Sequence, residues 1–128
     1  MNLLLDTCTF LWLAAGSSQM SARARELAAE PGNRAYLSVV SAWEIAVKYH
    51  AGRLRLPDPP SVFISRCRTE DDLLSLPLDE ESVLHVAKLP PVHNDPFDRM
   101  LICQALIHSL VILTPDEQIA RYPVRTIW

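Results

Sequence analysis

Four carboxylates stand at comparable places along the chain. Asp6 ends the first apolar run, NLLLD. Glu44 follows the second, within SVVSAWEIAVK. Asp98 lies in HNDPFDRMLICQAL, and Asp116 follows VILTP. No CxxC or HExxH accompanies them, so a zinc site is unsupported. Neither G-x-G-x-x-G nor the P-loop pattern is present, which removes nucleotide binding of those kinds. If the four acids meet, they repel. Two carboxylates roughly 5 Å apart cost about 3 kcal/mol at an effective dielectric near 20. A helix N-terminus offsets only about 0.3–1 kcal/mol of that. The shortfall calls for a divalent cation, and an all-carboxylate set favours Mg2+ or Mn2+. A hard metal with retained waters suits phosphodiester hydrolysis, because it lowers the pKa of a bound water and neutralises developing negative charge.

Each acid also has a local reading. Asp6 suits the N-cap of the helix behind it. Ser41-Ala42-Trp43-Glu44 reads as a capping box, and Glu44 can pair with Lys48 one turn on. Asp95 before Pro96 reads as an N-cap with proline at the first helical position, and Asp98 would complete a D-x-x-D variant of the box. Thr114-Pro115-Asp116-Glu117 is a further box, leaving Asp116 as a favourable first-turn charge. These readings explain helix starts. They do not explain why acids should gather at one edge.

The elements that must position these acids follow from the apolar pattern. Asn2 to Leu5 reads as a buried strand, and Thr7 to Ala15 as a helix stopping near Gly16. Ser21 to Glu30 reads as a helix capped by Ser21. Arg34 to Val40 reads as a strand, and Ser41 to Ala51 as a helix ended by Gly52. A proline-rich connection leads to a helix from Ser61 to about Arg68. Leu73 to Leu78 is a weak strand, and Asp79 to Lys88 a helix with an acidic first turn. The helix after Asp95 is apolar nearly all round and belongs in the core, with Asp98 on the face of Leu101, Ile102 and Ala105. Leu110 to Leu113 is a strand, a short helix opened by Thr114 follows to about Tyr122, and Val124 to Trp128 is a last strand. Strands alternating with helices imply an α/β fold, a mostly parallel sheet flanked by helices. In such a sheet the strand-to-helix turns collect at the carboxyl edge, where ligands bind. Asp6, Glu44 and Asp116 come from such turns, and Asp98 joins them if its helix also starts there.

The totals set bounds. The 128 residues fit one domain, 1–128, and 49 % hydrophobic residues suffice for a core. No apolar run is long enough to span a bilayer, and MNLLLDTCTF does not read as a signal peptide. The net charge of −3 excludes a broadly basic nucleic-acid binder. Arg53, Arg55, Arg66, Arg68, Arg121 and Arg125 read as solvated surface, with a local basic patch as the alternative. Cys8 and Cys103 read as reduced core residues of a cytoplasmic protein. Phe10, Trp12 and Trp43 read as core or interface in preference to base-stacking platforms.

At this point the chain resembles the PIN-domain ribonucleases, specifically the VapC toxins of bacterial type II toxin–antitoxin pairs. LLLDTCTFLWL, SVVSAWEIAVK, HNDPFDRMLICQAL and VILTPDEQIARY carry the resemblance, in the family's order and over almost the whole length. The resemblance implies a three-layer PIN-like fold and a Mg2+-dependent endoribonuclease. It also implies a cognate antitoxin encoded nearby that covers the acidic cleft, and a homodimer. On it, Asp6, Glu44, Asp98 and Asp116 match the acidic quartet, with Asp6 and Asp98 as the main metal ligands. Thr7 and Thr114 offer hydroxyls for a water or phosphate, or cap their helices. Asp95 reads as an N-cap before a ligand. Arg99 would restrain an acid or contact phosphate. His93 reads as a structural turn residue. Three rivals remain. A phosphatase lacks its D-x-D here, and a receiver domain lacks its acidic pair and late lysine. A non-catalytic binding module would use the acidic pocket to hold a partner's arginine.

Overall fold

The computed structural model describes Met1–Trp128. Five parallel strands form one sheet in the order β3-β2-β1-β4-β5: β1 (Asn2–Leu5), β2 (Arg34–Ser38), β3 (Leu74–Leu76), β4 (Val111–Leu113) and β5 (Thr126–Ile127). Seven helices connect them: α1 (Thr7–Ala15), α2 (Ala22–Ala29), α3 (Val39–His50), α4 (Pro60–Glu70), α5 (Glu80–His85), α6 (Pro96–His108) and α7 (Glu117–Ala120). A 3-10 turn, Val86–Lys88, extends α5. None is long and apolar enough to cross a membrane.

The period-two alternation of strand side chains splits the core in two. Leu3, Leu5, Leu37, Val111 and Leu113 face one layer with Phe10, Ile45 and Phe63, from α1, α3 and α4. Leu4 and Ile112 face the other with Leu101, Ile102 and Ala105 of α6 and Ile119 of α7. The expected three-layer architecture is therefore present. It also explains why β1 is apolar at every position after Asn2: it is central and covered on both faces.

Helix ends follow local chemistry. Ser21 caps α2, Asp79 caps α5, and Asp95 caps α6, with Pro96 at its first position. Gly16 ends α1 in the left-handed region at φ 62°, and its amide bonds to the carbonyls of Leu13 and Trp12. Nothing lies within 4 Å of a Cβ added there, so Gly16→Ala meets only backbone strain. It should lower stability by about 1 kcal/mol in chemical denaturation.

Two expected starts move. The strand β2 stops at Ser38, and Val39 and Val40 belong to α3. The Ser38 hydroxyl accepts the Val40 amide at 3.0 Å and caps the helix three residues before Ser41. Ser41-x-x-Glu44 is thus not a capping box, and Glu44 lies in the second turn of α3. Likewise Asp116, not Thr114, caps α7, its Oδ1 accepting from Gln118 at 2.8 Å.

Candidate active site at the carboxyl edge of the sheet

The strand order turns at β1. Chain moves from β1 to β2 and β3 on one side, then crosses to β4 and β5 on the other. The crevice at the carboxyl ends of β1 and β4 is therefore the topological switch point, where open α/β sheets bind ligands. Asp6 immediately follows β1 and Thr114 immediately follows β4. They join across the crevice, Thr114 Oγ1 donating to Asp6 Oδ2 at 2.6 Å. The other oxygen, Asp6 Oδ1, accepts the Thr9 amide at 2.8 Å, so Asp6 also caps α1.

The helix α6 runs back from the same edge, since it ends at His108, just before β4 begins. Asp98 in its first turn thereby reaches the crevice. Its carboxyl is pushed up to about 6, first by burial, then by the charges of Asp95, Asp6 and Asp116; a hydrogen bond with His93 opposes the rise. Burial also raises Asp6, against the bonds from Thr114 and Thr9, and Asp116 adds to the rise. The Cys8 thiol is raised to about 11 by burial and by the negative charges of Asp6, Glu44 and Asp98. Asp6, Asp98 and Asp116 thus act on one another, and Glu44 meets Asp6 and Asp98 only in its effect on Cys8.

The acids differ in what holds them. Glu44, 5 % exposed, is ion-paired with Lys48 and accepts from Thr7 Oγ1 at 2.6 Å. Thr7 Oγ1 also lies 3.0 Å from the buried Ser41 Oγ. Asp6 is equally buried, with no cationic partner. Asp98 has only His93, whose Nε2 lies 3.0 Å from its Oδ2. Asp116 is half-buried, and its Oδ2 has no protein partner.

Several smaller expectations change. The hydroxyls of Thr7 and Thr114 are not poised for a water or phosphate: each is spent on a buried carboxylate, Glu44 and Asp6 respectively. Thr114 Oγ1 additionally accepts the Asp116 amide at 3.0 Å. Arg99 touches no acid. Its Nη1 donates to the Pro90 carbonyl and to the Tyr122 hydroxyl. Asp95 is an N-cap, its Oδ1 accepting from Phe97 and Asp98 amides at 2.9 and 3.1 Å. Asp98 does not close the D-x-x-D box but turns to His93. Cys8 is only partly covered and so is not a core residue, while Cys103 is buried. Trp43 is 57 % exposed, resting edge-on against Phe97 with centroids 4.8 Å apart. The residue that sequence reasoning undervalued is His93. Its place five residues before Asp98, across a proline turn, was the available signal.

Thr114→Val tests the crevice bridge. It leaves Asp6 Oδ2 without its donor and the Asp116 amide without its acceptor. Removing a hydrogen bond to a buried charged group should cost about 1–3 kcal/mol at neutral pH in urea unfolding. The loss should shrink in acid, where Asp6 is protonated.

The donor set fits a hard cation by chemistry: two carboxylates with no lysine or arginine partner, both raised by burial. No three His, Cys, Asp or Glu side chains converge tightly enough to enclose a metal by themselves.

Comparison with protein families matches residues 3–124 to the PIN domain. No curated protein matches the chain. Among solved structures, the chain is similar to VapBC2 from Rickettsia felis bound to a promoter DNA fragment: TM-score 0.75, 13 % identity, 99 % of this chain and 98 % of that one covered. It is similar to DNA-bound VapBC from Salmonella typhimurium: TM-score 0.69, 18 % identity, 99 % and 97 % covered. It is also similar to FitAcB from Neisseria gonorrhoeae: TM-score 0.62, 20 % identity, 98 % and 96 % covered. At these identities the structures establish a shared fold.

Proposed function

This chain belongs to the PIN-domain family, and from that premise we propose that it is a VapC-type toxin, a metal-dependent endoribonuclease restrained by a cognate antitoxin. The observation that carries the reading is the shared field at the switch point. Asp6 and Asp98, from separate segments, are both raised by burial and by the charge of Asp116, Glu44 shares the Cys8 thiol with them, and only Glu44 has a lysine partner. The fold neighbours, toxin–antitoxin complexes by description, support the antitoxin partner. RNA as substrate puts the action in the cytoplasm, and a homodimer is the assembly the family resemblance suggests.

Asp6 and Asp98 would hold Mg2+, or Mn2+ in its place. When bound, such an ion supplies Lewis acidity and a water of lowered pKa. The chain's own residues do the rest. Thr114 and the Thr9 amide fix both oxygens of Asp6. Lys48 and Thr7 hold Glu44 in a fixed orientation. Asp116 keeps Oδ2 free to accept a hydrogen from the attacking water.

The test is cleavage of a labelled single-stranded RNA panel by purified protein, with Mg2+, Mn2+ or EDTA. Cleavage that EDTA stops and Mg2+ restores is the expected result. Cleavage indifferent to EDTA would overturn the metal reading. The second reading, an acidic pocket that holds a partner's arginine, draws on Asp6 and Asp98 being bonded to Thr9, Thr114 and His93 and to no lysine or arginine of their own chain. It predicts tight binding of the neighbouring gene's product and no cleavage under any cation.

A further inference from the structure

Asp98 is the end of a chain of contacts that runs into the core. Its Oδ2 lies 3.0 Å from His93 Nε2, and His93 Nδ1 lies 2.7 Å from the Tyr122 hydroxyl oxygen. The same oxygen receives Arg99 Nη1–H at 2.9 Å and the His93 backbone N–H at 3.2 Å. Arg99 is itself anchored on the Pro90 carbonyl at 3.0 Å, with its guanidinium 5.8 Å from the Tyr122 ring centre. Tyr122 is 3 % exposed and packs among the α6 core residues.

The hydrogen count assigns the imidazole proton. A phenol oxygen has one hydrogen to give and two lone pairs to fill. Arg99 and the His93 amide fill the lone pairs. The phenol hydrogen then goes to an acceptor, and His93 Nδ1 at 2.7 Å is a better one than the His93 carbonyl at 3.4 Å. A proton on Nδ1 would set three N–H donors against one oxygen. The ring proton therefore sits on Nε2 and faces Asp98.

We infer that Tyr122 and Arg99 lock His93 as the Nε2–H tautomer, so that His93 is a positioning residue for Asp98 as a metal ligand. The inference rests on the metal-site reading above. Its N–H holds Oδ2 and leaves Oδ1 without any protein partner. A ring N–H backed by the Tyr122 hydroxyl fixes the direction in which the carboxylate points. Glu44, by contrast, is held by the Lys48 ammonium. Outer partners of this kind fix ligand orientation and tune metal affinity.

The experiment has two readouts on the full chain. Nitrogen-15 NMR of the imidazoles reports which ring nitrogen of His93 carries the proton, with no substitution needed. Electron paramagnetic resonance of free Mn2+ reports affinity for wild type, Tyr122→Phe, His93→Leu and His93→Gln, each checked for folding by near-ultraviolet circular dichroism. The expected result is a protonated Nε2, an affinity loss of about 10–100-fold in Tyr122→Phe and His93→Leu, and recovery of most of it in His93→Gln, whose amide N–H replaces Nε2–H. A proton on Nδ1, or His93→Leu binding as tightly as wild type, overturns the inference. If wild type itself binds no Mn2+, the metal-site reading fails first, and the positioning role falls with it.

Discussion

Asp98→Asn should cut metal-dependent RNA cleavage steeply while making the metal-free protein more stable. The two effects have one origin. The Asp98 carboxyl titrates near 6 in the folded chain, above its ordinary 3.8, chiefly through burial and then through its acidic neighbours. Below about pH 4 it is protonated in both folded and unfolded chains and costs nothing. Between about pH 4 and 6 the folded chain keeps a proton that the unfolded chain releases, so stability falls as pH rises. Above pH 6 the full cost is present. A rise of this size corresponds to at most about 3 kcal/mol, and solvent at the partly exposed carboxylate reduces that to about 1–2 kcal/mol. Asn removes the charge and keeps an oxygen for His93. The variant should therefore gain about 1–2 kcal/mol at pH 7.5 without divalent cations and almost nothing at pH 4. Urea unfolding at the two pH values measures this. Adding Mg2+ should stabilise wild type and leave the variant unmoved, since only a bound ligand shifts the equilibrium. Cleavage should fall on the order of 10³-fold, equivalent to about 4 kcal/mol of lost charge stabilisation. A variant less stable than wild type at neutral pH would mean that neither burial nor the neighbouring acids penalise the Asp98 carboxylate.

Leu4→Ala should produce the largest stability loss at a site that does no chemistry. Leu4 is in the central strand, paired with Tyr36 on one side and Ile112 on the other, and is fully buried. Its side chain belongs to the face covered by α6, with Leu101 and Ile102. Removing it leaves a cavity in a layer held from both sides, at a cost of about 3–5 kcal/mol. For a domain of this size the thermal midpoint should drop by about 10–20 °C. Val39→Ala, on the exposed flank of α3, is the control and should move it by little. Cleavage by the folded fraction of Leu4→Ala should persist well below its midpoint, because Asp6 is held by Thr9 and Thr114 as well as by β1.

The elements with strong local signals were legible. The bounds of β1 and α1 follow from NLLL, the Asp6 cap and Gly16, all within one stretch of chain. The start of α6 follows from Asp95-Pro96. The boundary between β2 and α3 was not legible, because Val39 and Val40 are β-branched and look like strand. Their helical state is set by the Ser38 cap and by packing of Val40 beneath the sheet edge. The four acids could be picked out by type and position. What each one meets depends on strand order, which brings Asp6 beside Thr114 across 108 residues. No local pattern encodes that distance. The same holds for the hydroxyls. Thr7 and Thr114 look like caps or ligands in sequence, and each becomes the buried donor of a carboxylate only once α3 and β4 are in place. Tyr122 lies 29 residues from His93, and nothing near it in the chain announces a partner for the histidine ring.

The most direct measurement is a crystal of the wild-type protein soaked in Mn2+, with the ion located by its anomalous scattering. A peak bonded to Asp6 and Asp98, with its remaining positions taken by water, is the predicted result. A peak held elsewhere, or none at the switch point in a soaked crystal of active protein, would contradict the assignment of these acids as the catalytic metal site.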